Sequence, residues 1–205
     1  MGNYEANLVY GIAWIVFGLT HSLLAAKTFK KMFAHILGGY YRLLYNIIAI
    51  SQIIAIWIFG LYLFDFDDTL KLPFYSPLPF YLITCIGSIL LAFSIRQYDL
   101  GLFSGLTQIK LYEENLTEAF EEPLRISGLN SYIRHPLYLS LYLILWGQSY
   151  TNFGFSTALW GSVYLFIGTK FEERRLMFVY GSTYQKYKSK VPALIPWRGR
   201  LKSTL

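Results

Sequence analysis

Five long apolar stretches, residues 8–26, 40–64, 78–95, 136–150 and 153–170, decide what this chain can fold into. A hydrocarbon core roughly 30 Å thick offers no water to backbone N–H and C=O groups, so each stretch must close its hydrogen bonds internally as a helix. The pattern predicts an all-α, polytopic integral membrane protein with five transmembrane helices. The last two form a tight hairpin, broken only at Asn152 and Gly154, and a cytoplasmic helix follows. Both hairpin segments are short and must stand nearly upright or thin the bilayer. Charged residues make up only 15% of the 205, against about a quarter in soluble domains, which fits a chain dissolved mainly in lipid. The flank of the first stretch holds Glu5 and no Lys or Arg, whereas a cleaved signal carries a basic leader. It reads as a retained helix.

The net charge of +6 is distributed as membrane topology predicts. Lys27, Lys30, Lys31 and Arg42 follow the first helix, Arg96, Lys110, Arg125 and Arg134 lie between the third and fourth, and nine basic residues run from Lys170 to Lys202. Lys71 alone lies in the second loop, beside Asp65, Asp67 and Asp68. Basic residues collect on the cytoplasmic side, so the expected place is a cell inner membrane with the N-terminus outside and the C-terminus in the cytoplasm. Anionic lipid headgroups then account for the basic tail, and nucleic acid is not needed as a partner. The single cysteine, Cys85, can make neither an internal disulfide nor a metal site and reads as a small buried hydrophobe.

Polar residues inside apolar stretches need partners or functions. His21 is one, either a base or a neutral imidazole bonded to a neighbouring helix. Arg42 and Asn46, four apart, share a helix face and serve as interhelical glue or as substrate contacts. Residues 27–39 alternate basic and apolar side chains and lie along the headgroups until Gly38-Gly39. Pro73, Pro77 and Pro79 punctuate the outer loop before the third helix. Arg96 and Asp99 either pair with each other or face a ligand. The long polar segment that follows carries Glu113, Glu114, Glu118, Glu121 and Glu122, mostly as a solvated face.

The densest chemistry lies in Arg134-His135-Pro136-Leu137-Tyr138 and in Phe171-Glu172-Glu173. Pro136 suits the first position of a helix, so Arg134 and His135 precede a helix N-terminus that favours an anion. The alternative for Arg134 is an arginine snorkelling at the membrane edge. A tight hairpin returns Glu172 and Glu173 to the same depth. Adjacent helical residues point about 100° apart, so one carboxylate faces the hairpin and the other the loop, Arg174 or Arg175. Beyond them Glu172, Leu176, Tyr180, Tyr184 and Tyr187 form one helical face, which ends at Val191-Pro192, and Trp197 suits the interface. There is no His/Cys metal spacing, nucleophile elbow or phosphate-binding glycine loop. An anion site, carboxylates for an ammonium, and aromatic rings suit a zwitterionic, aromatic, cationic ligand, and S-adenosylmethionine is one.

Arg134-His135-Pro136-x-Tyr138, Glu172-Glu173-x-x-Leu176, Tyr180-Gly181-x-x-Tyr184-x-x-Tyr187 and Val191-Pro192, with Gly128 and Tyr132 upstream, resemble the signature of the isoprenylcysteine carboxyl methyltransferase and phospholipid methyltransferase superfamily. Over the first half, His21-Ser22-Leu23-Leu24-Ala25, Tyr41-Arg42-Leu43-Leu44-Tyr45-Asn46 and Tyr98-Asp99-Leu100 resemble its branch of NnrU proteins, nurim and methanethiol S-methyltransferases. The resemblance implies a single membrane methyltransferase domain over 1–205, with 1–100 as scaffold and substrate side and 101–205 as cytoplasmic loop, cofactor-binding hairpin and tail. It also implies S-adenosylmethionine bound by Tyr132, Arg134, His135, Pro136, Tyr138 and Glu172 or Glu173. The chain departs from the family at Ser140, where glycine is frequent, and at Ser131, where a basic residue is frequent.

In-line methyl transfer needs no metal, only alignment and a dry site. A thiol acceptor must be a thiolate, which Arg134, Arg96 or Arg42 would favour, with His21 as base. Arg134 and His21 are thus the catalytic candidates, and Arg42, Asn46, Arg96 and Asp99 the substrate contacts. The branch favours a small thiol such as methanethiol. A lipid-like or isoprenylcysteine acceptor is the alternative enzyme reading, and a non-catalytic membrane protein of the NnrU or nurim type the alternative to an enzyme.

Overall fold

The computed structural model of the protein describes residues 2–64, 69–70, 76–116 and 123–201. The expectations for Asp65, Asp67, Asp68, Lys71, Pro73, Glu118, Glu121, Glu122 and Lys202 lie outside the described residues. The described chain is all-helical: α1 (Asn3–Ala25), α2 (Lys27–Leu37), α3 (Tyr41–Leu63), α4 (Leu78–Ile95), α5 (Leu100–Ser104), α6 (Leu106–Glu113), α7 (Pro136–Trp146) and α8 (Asn152–Lys190). Tight 3₁₀ turns occupy Gly38–Tyr40 and Gly128–Ser131. Among the described residues there is no strand, only an isolated bridge between Thr69 and Thr151.

Among the described residues three helical segments are long and apolar enough to cross a membrane: Asn3–Ala25, His35–Leu63 and Leu78–Ile95. Large hydrophobic residues on them stay exposed, among them Ile12, Ile15 and Leu19 on α1, Ile47, Ile50 and Ile54 on α3, and Ile86, Ile89 and Phe93 on α4. An exposed apolar area of this extent needs an apolar solvent. Cys85 belongs to the same outer surface of α4 and is exposed, which corrects its reading as a buried residue. Its thiol faces outward because α4 turns Gly87 inward. α7 has 11 residues and ends at Trp146, four short of the apolar stretch that predicted it. At 1.5 Å per residue it is about 16 Å long, half of a hydrocarbon core.

By its internal contacts the chain forms two compact units. The first holds α1–α3 with α5 and α6, and the second holds α4, α7 and α8. In the first unit α1 packs on α3 through an aromatic face spaced four, three and four residues apart. Trp14 stands edge-on to Tyr10 and to Phe17, His21 follows Phe17 at 5.5 Å, and Tyr10 also meets Phe64 edge-on at 5.8 Å. Such rings bury large areas while keeping favourable edge-to-face geometry. The Gln52 amide donates to the Thr20 hydroxyl at 2.9 Å, and Tyr41 donates to the Leu24 carbonyl at 2.6 Å.

In the second unit α7 packs against both α4 and α8. Gly87 lets α4 approach α7 closely: a Cβ there would lie 2.9 Å from the Ile144 nitrogen and the Leu143 Cβ. α8 begins at Thr151, whose hydroxyl caps the Gly154 N–H at 2.9 Å. Its 39 residues run without a break except at Gly181, where φ 51 and ψ −125 are not helical. That backbone region is essentially reserved for glycine. The expected single face from Glu172 to Tyr187 is therefore redirected at Gly181, after which Tyr184, Tyr187 and Val191 are buried with Leu124, Ile126, Leu176 and Leu201 around them.

Candidate functional site

α7 starts where expected, with Pro136 at its first turn and His135 as the residue before it. The short loop ahead is held by its own bonds: the Ser131 hydroxyl donates to the Gly128 carbonyl at 2.7 Å, and the Asn130 amide donates to the Arg125 carbonyl at 3.1 Å. It is also held by the chain after α8. The N–H groups of Arg134 and His135 donate to the carbonyls of Pro192 and Ala193 at 2.9 and 3.0 Å, and the Leu201 N–H donates to the Ser131 carbonyl at 2.9 Å. Ser131 is buried beneath this tail, so the basic side chain frequent at its position would have no room here. Ser140 is fully buried, and its hydroxyl is satisfied by the Leu137 carbonyl at 2.6 Å, so the extra polar group costs little.

Glu173 is the centre of this arrangement. Its carboxylate receives Arg134 through Nε at 3.0 Å and through Nη2, Lys188 Nζ at 2.7 Å, and His135 Nε2 at 3.2 Å. The third guanidinium nitrogen, Nη1, donates to the carbonyls of Val191 at 2.5 Å and Lys188 at 3.3 Å. Arg134 is thus spent on Glu173 and the tail, although the sequence pattern reserved it for a ligand anion. Burial works to raise the pKa of Glu173, but the hydrogen bonds from Lys188 and Arg134, the Arg134 charge and the His135 contact outweigh it and hold the carboxyl at about 2.

Glu172 has a different environment. Its Oε2 is buried, lies 3.5 Å from His135 Nδ1, and accepts no hydrogen bond. An imidazolium would donate to both carboxylates, whereas a neutral ring serves only one. Asn130 Oδ1 is likewise buried without a hydrogen-bond partner, and the buried Tyr184 hydroxyl, which the Arg134 guanidinium approaches, donates to no acceptor. Burial first, and then the Glu173 charge, push the Tyr184 phenol up to about 12 against the pull of Arg134, so it stays a neutral donor. Orphaned buried polar atoms are uncommon in native proteins and call for a partner from water or a ligand. Tyr138 stands edge-on to the His135 ring at 5.5 Å, and Tyr132 is exposed. Of the expected cofactor residues, the structure brings together Arg134, His135, Pro136, Tyr138, Glu172 and Glu173.

The expected substrate residues divide. His21 meets Tyr45, with Nε2 and the hydroxyl 2.5 Å apart. Arg42 and Asn46 share a face as expected. Arg42 Nε donates to the Phe103 carbonyl at 3.3 Å, and the Asn46 amide donates to the carbonyls of Phe103 and Ser104 at 2.9 Å each. They satisfy the last carbonyls of α5, the gluing role. The Arg42 guanidinium also lies over the Tyr45 ring at 5.6 Å. Asp99 caps the other end of α5, accepting from the Leu102 N–H at 3.0 Å. Arg96, in the second unit, lies over Phe93 at 5.9 Å. Sequence reasoning missed Tyr45 and Lys188 as partners. Lys188 is four residues after Tyr184, one turn further on, and that spacing was the available signal.

No His, Cys, Asp and Glu cluster able to hold a metal occurs among the described residues. Compared with known proteins, the chain is 26% identical over 198 residues to a methanethiol S-methyltransferase of Crocosphaera subtropica, spanning 90% of this chain and 72% of that protein. Over 107 residues it is 32% identical to methanethiol S-methyltransferase 1 of Bradyrhizobium diazoefficiens, spanning 52% of this chain and 36% of that one. The likeness is to the methanethiol S-methyltransferase branch of the superfamily. A further methanethiol S-methyltransferase, from Pseudomonas deceptionensis, is 26% identical over 199 residues, spanning 93% of this chain and 73% of its own length. No family model and no solved structure matches the chain.

Proposed function

We propose that the protein is an integral-membrane methyltransferase that uses S-adenosylmethionine to methylate a small thiol, with methanethiol as the best candidate. The observation that carries this reading is the buried, undonated Oε2 of Glu172 beside His135, in a chain similar to methanethiol S-methyltransferases. An ammonium is the donor that this oxygen lacks. The ligand fits here because Glu172 offers a carboxylate that Arg134 and Lys188 leave to the His135 ring 3.5 Å away, while the Tyr184 hydroxyl offers a donor and Asn130 Oδ1 an acceptor. S-adenosylmethionine, when bound, supplies a methyl group on a sulfonium.

In this reading Glu172 binds the ammonium, and His135 orients Glu172. Arg134, Glu173 and Lys188 are positioning residues: they fix the start of α7 against the tail and keep the site dry. His21 acts as the base for the thiol, its ring held by the Tyr45 hydroxyl. Arg42, Asn46, Arg96 and Asp99 are the remaining candidates for acceptor contacts. The finer topology belongs to the same proposal. Five segments enter the bilayer of the cell inner membrane, with α7 and the first half of α8 as a hairpin, and the segment from Lys170 onward faces the cytoplasm.

Calorimetry of the purified protein with S-adenosylhomocysteine, followed by transfer of a labelled methyl group to methanethiol and to a panel of lipids and prenylcysteines, tests the reading. Saturable binding and label in dimethyl sulfide are expected. Label in a lipid would move the acceptor to the alternative class, and absence of binding in both detergent and bilayer would overturn the enzyme.

A further inference from the structure

The chain after α8 does more than end a helix. Residues 191–201 run back across the loop that starts α7, and their carbonyls at Val191, Pro192 and Ala193 hold the Arg134 side chain and the N–H groups of Arg134 and His135. The end of α8 and the end of this strap line an open cavity of about 480 Å³, formed by Ser189, Lys190, Arg198, Gly199, Arg200 and Leu201. Arg198 donates to the Ser189 carbonyl and so closes the strap on the end of α8. Lys190 and Arg200 are exposed at the cavity. No acidic residue occurs anywhere from Arg174 to Leu201 to neutralise them. In the same strap Ile195 and Trp197 are 66% and 67% exposed, while Val191 and Pro192 are buried.

A cationic rim next to an exposed aliphatic and an exposed indole is the pairing that a bilayer surface recognises, with charge for the headgroups and Trp for the interface. We infer that the strap 191–201 is a docking surface for anionic phospholipid. The headgroup phosphate binds at Lys190, Arg198 and Arg200 while Ile195 and Trp197 enter the interface. Because the strap's carbonyls hold the start of α7, docking closes the loop that carries Arg134 and His135. A bilayer of the wrong charge leaves that loop less firmly held. The inference stands on the strap and its bonds, so it holds whatever reaction the protein performs.

The experiment uses the full chain in nanodiscs of phosphatidylcholine alone or with phosphatidylglycerol, and reads lipid retained by native mass spectrometry and exchange of the Arg134, His135 and Leu201 amides. Phosphatidylglycerol should be retained and should slow exchange at those three amides by tenfold or more. The double variant Lys190→Gln/Arg200→Gln, which leaves the Arg198 bond to Ser189 intact, should weaken retention by about 25-fold, fivefold for each cation removed. Equal exchange in the two membranes overturns the inference. So does equal protection by inorganic phosphate without anionic lipid, since a free anion would then suffice. If the variant's exchange is already fast in phosphatidylcholine, Arg200→Lys distinguishes misfolding from lost charge: it should restore retention, and failure to do so also counts against the inference.

Discussion

The two units solve the same problem, polar groups in a largely apolar protein, in opposite ways. Around Glu173 the second unit places formal charges, Arg134 and Lys188 on one carboxylate with His135 beside it. Within its helical spans the first unit uses mostly neutral groups. His21 meets Tyr45, Thr20 meets Gln52, and Asn46 and Arg42 spend their donors on the free carbonyls of α5. Charges held in low dielectric are costly unless fully paired, and once paired they are costly to disturb. Neutral hydrogen bonds are individually modest and individually replaceable. The comparison assigns rigidity to the second unit and tolerance to the first, and within the second unit it separates Glu173, which is saturated, from Glu172, which is not.

The largest expected effect breaks the saturated carboxylate. Glu173→Gln leaves Arg134 and Lys188 facing a neutral amide, and removing one partner of a buried pair costs about 3–5 kcal/mol. Thermal unfolding in detergent should show it as a large fall in midpoint. Glu172→Gln disturbs only the 3.5 Å contact with His135, so its stability should stay within about 0.5 kcal/mol of the parent while S-adenosylhomocysteine affinity falls well over tenfold. Were the two variants to exchange these behaviours, the assignment of ligand carboxylate and structural carboxylate would be reversed.

Acid should expose the same difference. The folded pKa of Glu173, about 2, lies below its ordinary 4.5, so the carboxylate contributes stability that is fully present above pH 4.5 and is lost as pH falls toward 2. A shift of that size corresponds to about 3 kcal/mol. Unfolding midpoints measured across this window should slope downward in the parent and much less in Glu173→Gln. Parallel slopes would show that other carboxylates dominate acid unfolding.

Why Glu173 rather than Glu172 is saturated was not legible in the sequence, and the reason is physical. The apolar runs revealed the helices, because hydrocarbon permits few alternatives. The 3.6-residue period revealed that the two carboxylates diverge, and Pro136 revealed where α7 starts. Two of the structure's decisive features lack such a signature. Gly181 redirects α8 through a backbone angle that leaves no periodic trace, and that turn precedes Lys188 on its way to Glu173. The strap binds Arg134 and His135 through main-chain carbonyls, which every residue possesses. α7 stops at Trp146 because Gly147-Gln148-Ser149-Tyr150 form turns and Gly147 packs tightly against Thr84, and there the small and polar residues were a signal that the apolar stretch 136–150 overran. Composition shows what must be buried, but not which of two adjacent glutamates a distant lysine reaches.

The smallest effect tests the tolerant side of the comparison. Tyr45→Phe removes the hydroxyl that meets His21 Nε2 and leaves the ring under the Arg42 guanidinium in place. A net hydrogen bond contributes about 1 kcal/mol, so the unfolding midpoint should move slightly, far less than for Glu173→Gln. If His21 is the base, the same substitution removes one of the partners that orient its ring, and the rate of thiol methylation should fall while S-adenosylhomocysteine affinity is unchanged. His21→Gln should then cost more rate than Tyr45→Phe at similar stability. If the stability loss in Tyr45→Phe instead matches that of Glu173→Gln, the His21 pair is a structural lynchpin of the first unit. The contrast between a charged, rigid unit and a neutral, adaptable one would then fail at the residue on which the proposed thiol chemistry depends.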